Sequence, residues 1–191
     1  MSSLKSLFKR WLDAYWWRWK RSDFSPKVFV IGYNKTGTTS LGKALKILGY
    51  DHSSFNRFVW RAFYKRGDIQ SVIRYTSKFE SFDDLPWLKE DMIPILDESF
   101  PNSKWIYPTR EEEAWKRSYT RWSNKMGWVV DEDEGWQNYQ QHSEFVRSYF
   151  SKRQSDILEL SVSQCNGFDI LAGFLNKQAP FSDFPHENKS S

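Results

Sequence analysis

Between an apolar run, Val28-Phe29-Val30-Ile31, and a helically spaced set, Leu41, Ala44, Leu45 and Leu48, lies the segment Gly32-Tyr33-Asn34-Lys35-Thr36-Gly37-Thr38-Thr39-Ser40. A strand, a tight loop and a helix in that order form a cradle for an anion. Two glycines let the backbone turn N–H groups toward one point, and the helix N-terminus adds partial positive charge. Lys35 and the hydroxyls of Thr36, Thr38, Thr39 and Ser40 supply side-chain donors, and Asn34 an amide. The loop departs from that of nucleotide triphosphatases, in which Lys and Ser/Thr directly follow the last glycine. Here Thr38 follows Gly37 and the lysine precedes it by two residues.

The elements around it read as alternating strands and helices. Short strands are expected at 28–31, near Tyr50-Asp51-His52, at Phe82-Asp83-Asp84, at Lys104-Trp105-Ile106-Tyr107 and at Ile157-Leu158-Glu159-Leu160. Helices are expected after Ser40, around 55–64, over 68–77, over Trp87–Ser99 with a disturbance at Pro94, after Arg110, over Trp136–Lys152 and around Phe168–Leu175. The pattern predicts an α/β three-layer sandwich, a mostly parallel five-stranded sheet with helices on both faces, of the P-loop nucleotide-kinase-like type. Ligands on such sheets bind at the carboxyl ends of the strands, which gathers the loop, Asp84, Arg110 and the segment after Leu160. Asp131-Glu132-Asp133-Glu134 reads as a solvated loop before a helix, not as a cation site, because adjacent carboxylates diverge.

At 191 residues the chain is expected to hold one such domain, 23–191, preceded by a segment, 1–22. Leu4, Leu7, Phe8, Trp11, Leu12, Tyr15 and Trp19 recur at three and four residues, with basic residues mostly off that stripe. This predicts a basic amphipathic helix, either a peripheral membrane contact through residues 4–20 or a helix docked on the domain. Residues 1–21 carry six basic residues and one acid, leaving 22 basic and 23 acidic residues in the remainder. The domain itself therefore lacks the electrostatic footprint of a nucleic-acid-binding protein. A single cysteine, Cys165, excludes an internal disulfide and suits a reducing, cytoplasmic setting. No run approaches a membrane span, and the first residues lack the apolar core of a signal peptide. No carboxylate pair or His cluster has metal-ligand spacing. The aromatic content, 18% with 11 Trp, suggests stacking surfaces or an apolar acceptor pocket, with Trp60 and Tyr64 on its side of the 55–64 helix.

With these residues in place, the loop resembles the 5′-phosphosulfate loop of the sulfotransferases, which use 3′-phosphoadenosine 5′-phosphosulfate (PAPS). A second motif strengthens the resemblance. In that family an arginine after a strand and a serine eight residues on bind the 3′-phosphate, and Arg110 and Ser118 stand at that separation. Glu111-Glu112 replaces the family's usual Asp-Pro, and these carboxylates are expected to point outward. Asp84-Leu85-Pro86 lies where relatives carry a catalytic histidine or carboxylate, which implies Asp84 as general base, with Asp83 and His52 in reserve. The tail Pro185-His186-Glu187-Asn188-Lys189 resembles the ending of a small bacterial-type group, in which Lys189 would meet a phosphate of PAPS. The resemblance spans about 27–189 and implies metal-independent transfer of a sulfuryl group to an acceptor hydroxyl or amine, a glycan or lipid among the candidates, with Lys35 stabilising the leaving phosphate. Two other classes remain open on the residues alone: a small P-loop kinase, and a non-catalytic nucleotide-binding module at a membrane surface.

Overall fold

The computed structural model describes residues 16–182 and 184. Five strands, β1 (Val28–Val30), β2 (His52–Ser53), β3 (Ser81–Asp83), β4 (Lys104–Pro108) and β5 (Ile157–Leu160), form one sheet. Its order is β2-β3-β1-β4-β5, and every neighbouring pair is parallel. Six helices connect and cover them: α1 (Thr38–Ile47), α2 (Ile69–Thr76), α3 (Met92–Ser99), α4 (Glu112–Met126), α5 (Glu132–Tyr149) and α6 (Gly167–Phe174). The sequence expectation of an α/β sheet covered on both faces is met, with all strand pairs parallel.

The alternation of side chains along each strand builds two cores. Phe29, Phe82 and Trp105 face α2, α3 and α5, where Val72, Ile93, Leu96 and Val146 complete one core. Val28, Val30 and Ile106 face the other way, against Leu41, Ala44 and Leu45 of α1 and Phe168 and Leu171 of α6. The central strand is buried on both faces, which is why its sequence is an unbroken apolar run.

Local chemistry corrects several boundaries. The helix expected from Trp87 begins at Met92, so that Pro94 occupies its first turn. A proline there loses no intrahelical bond, and it neither bends nor interrupts the helix. The acidic run forms the first turn of α5 and is not a loop before it, because Asp131 caps that helix, accepting from the N–H groups of Asp133 and Glu134. Residues Val59–Phe63 form a π-helical turn, with Trp60 stacked on Tyr64 at 4.8 Å. The Tyr64 hydroxyl donates to Asp91, and its pKa is pushed up to about 12, by burial first and by that carboxylate second.

The amphipathic stripe over 4–15 lies outside the described residues. Its end is visible as a single 3₁₀ turn, Trp16–Trp19. There Trp17, off the predicted stripe, is 3% exposed and packs edge-on against Phe63 and Tyr75, whereas Trp19, on the stripe, is 91% exposed. Lys20 pairs with Asp51, and Lys78 donates to the Lys20 carbonyl, so residues 17–20 rest on the domain that follows them. Truncating a fully packed tryptophan costs about 3–5 kcal/mol and an exposed one about 0.5 kcal/mol or less. In urea denaturation, Trp17→Ala is therefore expected to lose a large part of the folding free energy, with Trp19→Ala close to wild type. Equal effects would contradict the buried placement of Trp17.

Candidate active site

Parallel order brings the ends of β1, β3, β4 and β5 to one edge of the sheet. From β1 the loop begins at Ile31, whose N–H still bonds the Ile106 carbonyl. Gly32 is required by close approach: a Cβ there would lie 2.2 Å from Pro108 Cγ and 2.7 Å from Thr36 Oγ1. Lys35 adopts φ 67° and Gly37 φ 101°, two left-handed residues that reverse the chain into α1. Thr36 is wholly buried, and its hydroxyl donates to the Tyr33 carbonyl at 2.6 Å.

Three distant side chains hold the loop's carbonyls. His142 Nε2 donates to Ile31 O at 2.7 Å, Trp115 Nε1 to Asn34 O at 2.7 Å, and Arg110 Nη1 to Lys35 O at 2.9 Å. Apart from that of Thr36, which closes the turn at Asn34-Lys35, the N–H groups of Asn34 through Thr39 make no hydrogen bond among the described residues. A loop whose carbonyls are taken and whose N–H groups are open favours an anion. Thr38 opens α1 and Ser40 lies in its first turn, where the helix dipole adds to that preference.

The charges agree. Neither Lys35 nor Arg110 has a carboxylate within 4 Å among the described residues. Burial, and then the Arg110 guanidinium, holds the Lys35 ammonium below the usual lysine range. Burial, followed by Arg117 and Arg121, lowers Arg110. Glu111 and Glu112 are exposed, and Glu112 pairs with Lys116 at 2.8 Å, so the acids that replace the expected Asp-Pro turn away from Arg110. Ser118 lies in α4, half-buried, on the helical face it shares with Trp115 and Trp122.

Asp84 follows the last residue of β3 with φ 66°, half-buried, and accepts from the N–H of Leu85 at 2.7 Å. Burial raises its pKa, Asp83 raises it further, and the Leu85 bond opposes both. The two reserves lie elsewhere. His52 and Asp83 are buried beneath α1, with His52 Nε2 3.6 Å from Asp83 Oδ2 and His52 Nδ1 2.8 Å from Ser81 Oγ. A Cβ on Gly42 of α1 would fall 2.7 Å from His52 Nε2 and 2.8 Å from Asp83 Oδ2. Gly42 of α1 therefore packs directly on this pair. Lys189 lies outside the described residues.

Sequence reading missed the groups that shape the loop. Neither His142 nor Trp115 carries a local signal for holding a loop carbonyl. The one local signal was helical spacing, Trp115, Ser118 and Trp122 at i, i+3 and i+7. No group of three or more His, Cys, Asp or Glu able to hold a metal ion occurs among the described residues.

A family model described as "Sulfotransferase domain" matches residues 27–131 and 121–191 of the chain. Among solved structures, a gluconokinase from Sinorhizobium meliloti 1021 is similar at 16% identity with a TM-score of 0.49, over 81% of this chain and 97% of that one. The curated proteins gave no match.

The loop geometry is testable without a ligand. A Cβ at Gly37 would be forced into φ 101° and would lie 2.4 Å from Val162 Cγ2. Gly37→Ala is expected to cost more than about 1 kcal/mol in thermal or urea melts. Val162→Ala should restore part of that loss, the steric part. No recovery would place the whole cost in the backbone.

Proposed function

The chain belongs to the sulfotransferase domain family, and we propose that within it the chain is a PAPS-dependent enzyme that sulfates a hydroxyl or amine. The observation that carries this reading is the pairing of outward N–H groups on the 34–39 loop with two cations, Lys35 and Arg110, that no described carboxylate neutralises. Such a site fits a ligand with two separated phosphate groups. Asn34, Lys35, Thr36, Gly37, Thr38, Thr39 and Ser40 would hold the 5′-phosphosulfate end, in part through their backbone, and Arg110 and Ser118 the 3′-phosphate. Lys189 is proposed to add to this set.

When bound, PAPS supplies the sulfuryl group and leaves as 3′-phosphoadenosine 5′-phosphate. Lys35, the Thr38 hydroxyl and the loop N–H groups would meet the negative charge that grows on the leaving phosphate oxygen. Preorganised donors of this kind are worth about 3–4 kcal/mol each. Asp84 would take the proton of the acceptor. Burial raises its pKa, which makes its ionised form a stronger base than an exposed aspartate. The 55–64 segment, with its stacked Trp60 and Tyr64, offers an aromatic wall suited to a sugar ring, a phenol or a lipid headgroup. Peripheral contact with an anionic membrane through the 4–20 segment is supported by the exposed Trp19 beside Arg18 and Arg21. No described helix is long and apolar enough to cross a membrane.

Thermal shift separates this reading from a kinase or an idle module. 3′-Phosphoadenosine 5′-phosphate at a hundredfold excess over its Kd should stabilise the protein by about 2.7 kcal/mol, and ATP with Mg²⁺ should not. The reverse preference would favour phosphoryl transfer, and stabilisation by neither would remove the nucleotide site.

Arg110→Ala is expected to weaken adenosine 5′-phosphosulfate to the extent that the loop loses its clamp on the Lys35 carbonyl, and to weaken 3′-phosphoadenosine 5′-phosphate by about ten- to a hundredfold more, the worth of one charge-assisted contact. Loss of both equally would mean that the arginine serves the loop carbonyl alone.

Asp84→Asn should keep nucleotide affinity while PAPS turnover with a panel of phenol and sugar acceptors falls by about 10² to 10⁴. Stability should move the other way. A carboxyl whose folded pKa lies above its unfolded value costs stability at pH above both, and that cost vanishes as pH falls through the folded value. Asparagine keeps the acceptor for the Leu85 N–H and tolerates a left-handed φ, so Asp84→Asn should be at least as stable as wild type at pH 7 in urea melts, with the gap closing at acid pH. Full turnover in this variant would place the base on another residue.

A further inference from the structure

We propose that Trp122 is a positioning residue for Lys35, holding the ammonium by its aromatic face so that its charge stays available to the nucleotide. The proposal rests on the reading above, in which Lys35 meets the 5′-phosphate.

The backbone of Lys35 is already fixed, by its left-handed φ of 67° and by the Arg110 bond to its carbonyl. Its side chain runs to α4, where Nζ lies 5.3 Å from the centroid of the Trp122 ring. No carboxylate among the described residues shares that ammonium. The distinction matters chemically. A carboxylate would orient the lysine but would also neutralise it, and an arriving phosphate would first have to displace it. A ring face attracts the cation through its quadrupole and leaves the side away from the ring uncompensated. The ring also favours the charged form, against the burial and the Arg110 charge that lower this pKa.

Trp122 is itself held on two sides. Tyr119 lies 6.0 Å from it and stacks at 4.6 Å on Trp115, the residue that donates to Asn34 O. On the other side Trp128 meets it edge-on at 5.0 Å and 84°. Trp128 returns to α4 because Gly127, at φ 71°, closes the helix with bonds from Gly127 N to Asn124 O and from Trp128 N to Ser123 O. A run of rings thus starts at a loop carbonyl and ends under the ammonium of the same loop. The folded chain predetermines where that ammonium sits.

The test is a double-mutant cycle on nucleotide affinity, measured by calorimetry on the full chain at fixed ionic strength. The ligands are 3′-phosphoadenosine 5′-phosphate and, lacking the group Lys35 is read to hold, adenosine 3′-phosphate. Trp122→Leu is expected to weaken the first about three- to tenfold and to leave the second unchanged, with Trp122→Phe recovering most of the loss. In a Lys35→Met background Trp122→Leu should have no further effect, because the group it positions is gone. Trp122→Met, apolar and ringless but fuller than leucine, is carried through the same cycle, so that a leucine variant that fails to fold does not end the test. The proposal is overturned if either ringless variant costs as much without Lys35 as with it, or weakens adenosine 3′-phosphate equally, since the ring would then serve the nucleoside or the fold. A Lys35→Met protein that binds 3′-phosphoadenosine 5′-phosphate as wild type does would instead sink the reading of Lys35 itself, an outcome distinct from an additive cycle.

Discussion

Everything at this site depends on three hydrogen bonds that point the wrong way for a free loop. A short segment rich in glycine and hydroxyls has as many carbonyls as N–H groups, and nothing local decides which set faces outward. Here the Ile31, Asn34 and Lys35 carbonyls are claimed by His142, Trp115 and Arg110. With the acceptors drawn inward, the donors are left together at the edge of the sheet. The imidazole performs this because a backbone carbonyl only accepts, which places the proton on Nε2 and leaves Nδ1 facing Glu90 at 3.6 Å. Burial lowers the pKa of His142, and the Ile31 carbonyl opposes that shift. The neutral imidazole suffices for the bond.

The rest of the architecture delivers these three groups. β4 pairs with β1 as far as Ile106 and with β5 as far as Pro108, and Thr109 N still bonds Leu160 O, so Arg110 emerges next to the loop. Its own N–H donates to the Tyr139 hydroxyl at 3.2 Å, which ties β4 to α5 at that point. Tyr139 packs edge-on against Tyr33 and stacks on Trp136. Part of the aromatic excess noted in the composition thus gives rigidity around the loop, between α4 and α5, while a larger share packs the core around Phe29, Phe82, Trp87 and Trp105.

How much of this could be read beforehand follows from distance along the chain. Gly32 to Ser40 was legible because its signals are contiguous: a buried strand, glycines, hydroxyls, a helix start. Arg110 was legible only through a resemblance, since one arginine after a strand has no local meaning. His142 was not legible at all, because its partner lies 111 residues away and a lone histidine in a helix carries no pattern. Periodicity also misled where two solutions compete. Trp17 and Trp19 straddle the end of an amphipathic stripe, and packing against Phe63 and Tyr75 chose the one off the stripe. At Pro94 the sequence suggests a disturbed helix, whereas the helix starts late enough to place the proline in its first turn.

The separations of 75, 81 and 111 residues that the three clamps span have a consequence in time. β1 and α1 can pair and pack early, but the loop between them has no reason to choose its donor-outward form until β4, α4 and then α5 are in place. On a ribosome, which releases the chain from its N-terminus, the anion cradle at residue 35 cannot mature before residue 142 has left the exit tunnel. A nascent chain carrying the complete loop sequence would therefore lack the donor-outward form over most of its synthesis, and gain it only with the docking of α5.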